Sequence, residues 1–237
     1  MQVTEYRTFS ISMPIVTGET DPNGNFIAFG EILGTCFSIG GQYLLTADHV
    51  IKNISKEGAI GIIDRDTRQI HAASIIETES LSCDIAIIKI KLENEGLSKF
   101  INTLQWSTES LSVFSEVSAI GYPHGKMQTE NGLMIVPRGF KGYVISNPGH
   151  FVPLGYQGKP FSIYEINFQA PAGLSGSPLL LASRNIFYVV GLIIGNSSSK
   201  ILVFENEEII RKKKGKDDCT AIRIDDIWYC RKSIRDI

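Results

Sequence analysis

Residues 34–50 read GTCFSIGGQYLLTADHV. Cys36, Phe37 and Ile39 lead into Gly40-Gly41, and Tyr43, Leu44 and Leu45 lead out of it. Two apolar runs hinged on a Gly-Gly pair read as a hairpin, because glycine reaches the backbone angles that a tight turn requires. The second run ends in a short segment that presents His49. The same unit, a short strand closed by a turn signal, recurs along the chain. Candidate strands cover 4–13, 25–32, 34–40, 42–47, 59–64, 69–78, 84–90, 115–123, 134–147, 162–168, 177–182, 187–195 and 200–206. Asn-Gly, Pro-Gly and Ser-Ser-Ser breakers stand among them. About a dozen short strands with regular turn signals predict an all-β chain of the sandwich or barrel kind.

In 237 residues these strands fit two six-stranded β-barrels side by side. The expected organisation is a single domain over 1–237, with an N-terminal barrel over about 1–110 and a C-terminal barrel over about 111–237. The run FYVVGLIIG, 187–195, lacks polar alternation and suits a strand buried on both faces. The tail IDDIWYCRKSIRDI carries apolar residues at 224, 227, 228 and 234, which predicts a short closing C-terminal helix with Asp225 as its N-cap.

Composition narrows the function classes. The 23 basic and 25 acidic side chains leave a formal charge of −2, which argues against a general nucleic-acid binder. The one basic run, RKKKGK at 211–216, reads as a solvated loop. No window approaches the roughly 18 apolar residues that a transmembrane helix needs, and the N-terminus lacks the apolar core of a secretory signal. The four cysteines, Cys36, Cys83, Cys219 and Cys230, are scattered without a C-x-x-C pair. They read as free thiols, not as a disulfide framework or a zinc site, and favour a reducing, cytoplasmic location. His71, His124 and His150 are likewise scattered, so neither a metal nor a cofactor is expected.

Three segments carry chemistry. His49 follows an apolar strand directly, where a base can be exposed yet rigidly held. Asp84 opens the apolar run of CDIAIIKIKL, 83–92, where burial is unfavourable unless a partner such as an imidazole N–H meets the carboxylate. Ser175 lies in PAGLSGSPLLL, 171–181, among small residues, with Gly173 and Gly176 free to adopt unusual backbone angles. Such a turn can expose the hydroxyl while the amides of Gly173 and Ser175 point at one spot, an oxyanion hole in prospect. Nucleophilic serine chemistry needs a base for the hydroxyl proton and an acid to orient the base. The order here is His49, Asp84, Ser175. All four histidines precede Ser175, which excludes the α/β-hydrolase arrangement, where the histidine follows the serine.

With LLTADHV, DIAIIKI and GLSGSP in that order, the chain resembles the trypsin/chymotrypsin-fold serine peptidases. The intervals, 35 residues from His49 to Asp84 and 91 from Asp84 to Ser175, are similar to those of that family. GTCF before the histidine strand and IGYP at 120–123 resemble the bacterial, Deg-like branch, here without a PDZ module. The resemblance implies two perpendicular β-barrels of the chymotrypsin-like kind and endopeptidase activity on protein substrates through an acyl-enzyme. It implies Ser175 as nucleophile, His49 as general base and then acid, Asp84 as its orienting acid, and an oxyanion hole at Gly173 and Ser175. For substrate binding it implies strand pairing along Ile193, Ile194, Gly195 and Asn196. Gln169 would lie at the base of the specificity pocket, with Cys219 in its wall.

Two departures matter. Leu174 stands where secreted trypsins carry the aspartate that pairs with a new N-terminus, so activation by that route is not expected. Ser177 replaces the second glycine after the nucleophile. A neutral Gln169 predicts no strong preference for Arg or Lys. An uncontrolled cytoplasmic protease would be harmful, so narrow specificity or gating by a regulatory protein partner, in a stress or defence setting, is expected. The alternative is a latent or degenerate protease-fold module that captures a peptide strand or partner without turnover. A collapsed 172–176 loop would favour it.

Overall fold

Six antiparallel strands close a first barrel: β1 (Met13–Thr20), β2 (Phe26–Gly40), β3 (Tyr43–Ala47), β4 (Gly58–Ile63), β5 (Ile70–Leu81) and β6 (Ile85–Lys91). Their order around the barrel is β1-β2-β3-β6-β5-β4. The computed structural model describes residues 11–20, 26–52, 54, 58–63, 70–81, 84–92, 98, 101–107, 110–123, 126–129, 132–146, 150–151, 161–168, 170–183, 186–201 and 222–231. One short helix, α1 (Asp48–Lys52), follows β3. Among the described residues no helix is long and apolar enough to cross a membrane.

The later strands are β7 (Gln105–Trp106), β8 (Glu116–Gly121), β9 (Lys126–Thr129), β10 (Gly132–Ile135), β11 (Arg138–Ser146), β12 (His150–Phe151), β13 (Phe161–Ile166), β14 (Pro178–Ser183), β15 (Ile186–Ile201) and β16 (Ile222–Arg231). Strands β9 and β10 form a separate hairpin. The main sheet runs β11-β8-β14-β15-β16-β13-β12. A further β11–β13 pairing, Val144 opposite Ile166, joins its two sides, so six of these strands form a closed cycle. The chain is therefore all-β, a closed six-stranded barrel beside a second cyclic sheet.

Three expectations need correction or adjustment. The segment 222–231 is not a C-terminal helix with Asp225 at its cap; it is strand β16. Its spacing at 224, 227 and 228 fits one helical face, but β13 and β15 each offer it a ladder, and two ladders outweigh a local periodicity. The expected strands 25–32 and 34–40 are one continuous strand, β2, bent by bulges against β1. The expected strand 134–147 is two, β10 and β11, broken at Val136-Pro137, where proline has no N–H for a ladder.

Two apolar clusters form the core. The first fills the barrel with Ile15, Phe37, Leu44, Leu45, Ile60, Ile85, Ile88 and Ile90, and extends to Ile120, Leu180, Val189 and Leu192 of the second half. The second gathers Val117, Ala119, Tyr164, Ile166, Leu174, Leu179, Val190 and Ile193. Successive residues of a strand face opposite sides. Thus β8 gives Ala119 to one cluster and Ile120 to the other, and β14 divides Leu179 from Leu180. In β15 a bulge at Val190 shifts this alternation by one residue. The wall β8-β14-β15 is buried on both faces, which explains the unbroken apolar run of β15.

Candidate active site

His49 and Asp84 meet because of strand register. Strands β3 and β6 pair from Tyr43 opposite Lys89 to Ala47 opposite Ile85. The residues just past Ala47 therefore face the residue just before Ile85. The Asp48 N–H donates to the Asp84 carbonyl at 3.0 Å, extending the ladder by one bond. Asp84 itself adopts a left-handed backbone, φ 58°, a region that aspartate tolerates better than most residues. That turn aims its carboxylate at α1. Oδ2 lies 2.7 Å from His49 Nδ1, and Oδ1 accepts the His49 backbone N–H at 2.9 Å. Both oxygens are thus engaged by one residue. A carboxylate accepts there, so this contact fits the tautomer in which Nδ1 carries the proton. The Asp84 side chain is 16 % exposed and that of His49 45 %, so the carboxylate is shielded while the imidazole reaches solvent.

Helix α1 is held by a second acid. Asp48 is buried, accepts the Ser80 hydroxyl on Oδ1 at 2.5 Å, and pairs through Oδ2 with Lys52 one turn on. This ties the helix to β5. The tie was not legible beforehand, because nothing in TADHV distinguishes the two acids near His49.

Ser175 sits in a loop of two consecutive turns. Leu174 N–H donates to the Pro171 carbonyl at 3.1 Å, and Ser177 N–H to the Leu174 carbonyl at 3.0 Å. Gly173 and Gly176 take φ of 96° and 87°, angles that strain any residue with a Cβ. Among the described residues, the amides of Gly173 and Ser175 donate no hydrogen bond. Leu174 is fully buried in the second cluster, where its side chain contributes about 1.5–3 kcal/mol. Leu174 is thus an apolar anchor of the serine loop.

Gly34 brings the two halves together. A Cβ built on it would lie 2.6 Å from Val50 Cγ1 and 3.1 Å from the Ser175 carbonyl oxygen. Both the residue after His49 and the serine loop thus rest on one point of β2. The neighbouring Thr35 N–H donates to the Ser175 carbonyl at 2.9 Å.

Of the expected binding strand, Ile193 is fully buried and meets the serine loop through its backbone. It accepts from Gly176 N–H at 2.7 Å and donates to the Ser177 carbonyl at 2.9 Å. Ile194 faces the first cluster. Gly195 and Asn196 pair with Tyr229 and Trp228 of β16. Pairing with β14 ends at Leu192 opposite Pro178, so beyond Ile193 that edge of β15 has no strand partner among the described residues. Gln169, Cys219 and the basic loop 211–216 lie outside the described residues.

Cys36 is a free, buried thiol, and burial alone pushes its pKa far up. Tyr122, also fully buried, is pushed up by burial and by the adjacent Cys36. Its hydroxyl donates to the Ser12 carbonyl at 3.1 Å.

Two closed rings of antiparallel strands, one packed through a wall of β8, β14 and β15 against the other and meeting it at a serine loop, define the chymotrypsin-like class of folds. Within that class, the trypsin-like peptidase domain family matches over residues 34–192, and the chain belongs to it. Among solved structures it is similar to the Rv3671c protease of M. tuberculosis. The active form of that protease has 16 % identity and a TM-score of 0.57, with 95 % of this chain and 77 % of that chain covered. The inactive form has 16 % identity and a TM-score of 0.56, covering 95 % and 85 %. A comparison with curated sequences finds no match.

Proposed function

We propose that this chain is a serine endopeptidase whose nucleophile is Ser175, with His49 as general base and Asp84 as the acid that orients it. The observation that carries the proposal is the His49–Asp84 pair, with both carboxylate oxygens on one histidine, packed through Gly34 against the Ser175 loop. In the proposed reaction, Ser175 Oγ attacks the scissile carbonyl carbon and its proton passes to His49 Nε2. The developing oxyanion accepts from the Gly173 and Ser175 amides. The imidazolium then gives the proton to the leaving amine as the C–N bond breaks. A water, deprotonated by His49, hydrolyses the acyl-enzyme and restores the serine. Asp84 stays ionised throughout and stabilises the imidazolium. The open edge of β15 beyond Ile193 suits a substrate backbone added as a strand.

The test is labelling with a fluorophosphonate probe, wild type beside Ser175→Ala, His49→Ala and Asp84→Asn. Labelling is expected for wild type, absent for Ser175→Ala and His49→Ala, and slowed by about 10⁴ for Asp84→Asn. A folded wild type that does not label overturns the reading in favour of a latent module. Narrow or partner-gated specificity belongs to the same proposal, and rapid turnover of unfolded casein without any partner would contradict it. A cytoplasmic setting is also proposed, and the free Cys36 thiol fits the reducing milieu.

A further inference from the structure

Thr35 is fully buried, and every polar atom it has is engaged. Its N–H donates to the Ser175 carbonyl at 2.9 Å. Its carbonyl accepts the Thr46 hydroxyl at 2.7 Å. Its own hydroxyl donates to the Gly173 carbonyl at 2.7 Å and accepts the Tyr122 N–H at 3.1 Å. One residue of β2 thus holds both Gly173 and Ser175 by their carbonyls and links them to the end of β8. Fixing a residue's carbonyl fixes the peptide plane that follows it, so Thr35 sets the planes on either side of the Leu174–Ser175 amide. The Leu174 side chain offers only packing at this point, since it has no polar atom.

We propose that Thr35 is the positioning residue of the oxyanion loop: its hydroxyl and N–H hold the Gly173 and Ser175 carbonyls so that the two amides converge before substrate arrives. This rests on the catalytic reading above. The hydroxyl acts through the loop and touches no reacting atom. Rates are sensitive to displacements of this kind, since a misplacement of about 1 Å can cost about 10²-fold.

The experiment compares wild type, Thr35→Val, Thr35→Ser and Ser175→Ala. It uses p-nitrophenyl acetate turnover and the fluorophosphonate phosphonylation rate, with thermal melting as the fold control. Valine keeps the shape and loses both hydroxyl bonds; serine keeps the hydroxyl. Thr35→Val is expected to lower kcat by about 10–10²-fold, less than the roughly 10²–10³-fold of a lost oxyanion donor because both amides remain and are only misplaced, with KM within about twofold. Thr35→Ser is expected to restore kcat to within about threefold of wild type, on the same hydroxyl argument. Thr35→Ala supplies the comparison if the valine variant does not fold. A folded Thr35→Val with the wild-type phosphonylation rate overturns the proposal while leaving Ser175 as nucleophile. Wild-type labelling that survives Ser175→Ala overturns the catalytic reading itself, and the role of Thr35 with it.

Discussion

At residues 176 and 177 two adjacent small side chains obey opposite rules. Gly176 has φ 87°, and a Cβ there would lie 1.9 Å from the Thr35 carbonyl oxygen and 2.3 Å from Thr46 Oγ1. The obstacle is backbone, which cannot swing aside. Gly176→Ala is therefore expected to destabilise by about 2–5 kcal/mol, combining left-handed strain with overpacking. Ser177 Oγ is buried without a hydrogen-bond partner and sits over Gly121. An unsatisfied buried hydroxyl is unfavourable, so Ser177→Ala is expected to stabilise by about 1 kcal/mol. Urea midpoints at unchanged m-value measure both. The sequence shows why His49, Asp84 and Ser175 stand out as candidates when Thr35 does not. Their chemistry is visible in residue type and order, whereas Thr35 is one threonine in an apolar strand. Its importance lies in four contacts to residues as far as 140 positions away, which a local reading does not contain.

The elements were legible where one rule governed them. Strands β3 and β6 and the buried part of β15 follow from hydrophobic pattern, and the hairpin at Gly40-Gly41 from its turn residues, whereas the pairing of β3 with β6 does not. The tail was misread because its apolar spacing suits a helix, while its place in the fold is settled by partners distant in sequence. Tyr229 lies opposite Glu165 on one side and Gly195 on the other. A proline in a strand flanked on both sides removes a ladder bond that nothing replaces. Tyr229→Pro is expected to destabilise by about 1–3 kcal/mol or more, and hydrogen exchange should show its effect reaching β13 and β15 together. A helical tail packed on the surface would leave exchange in those strands unchanged.

The molecule as a whole carries an alkaline limit. Cys36 and Tyr122 have ordinary pKa values of 9.0 and 10.0, and burial raises both in the folded state. The unfolded chain releases these protons first as pH rises, so it binds fewer protons than the native state and stability falls. Full stability is therefore expected below pH 9, with loss setting in above pH 9–10, and Cys36→Ala should remove part of that slope in melting curves recorded across this range. The division of the chain into two rings was legible from strand count, but the two-faced wall of the second ring was not, since it depends on which face each residue of β8, β14 and β15 presents. That wall has a mechanical meaning. With Leu179 in one core and Leu180 in the other, β14 serves both cores at once, so the rings cannot part without opening the first cluster. Opening the two halves like hinged jaws would bring the apolar side chains of the first cluster into water, so the fold favours one fixed anvil over a pair of moving parts.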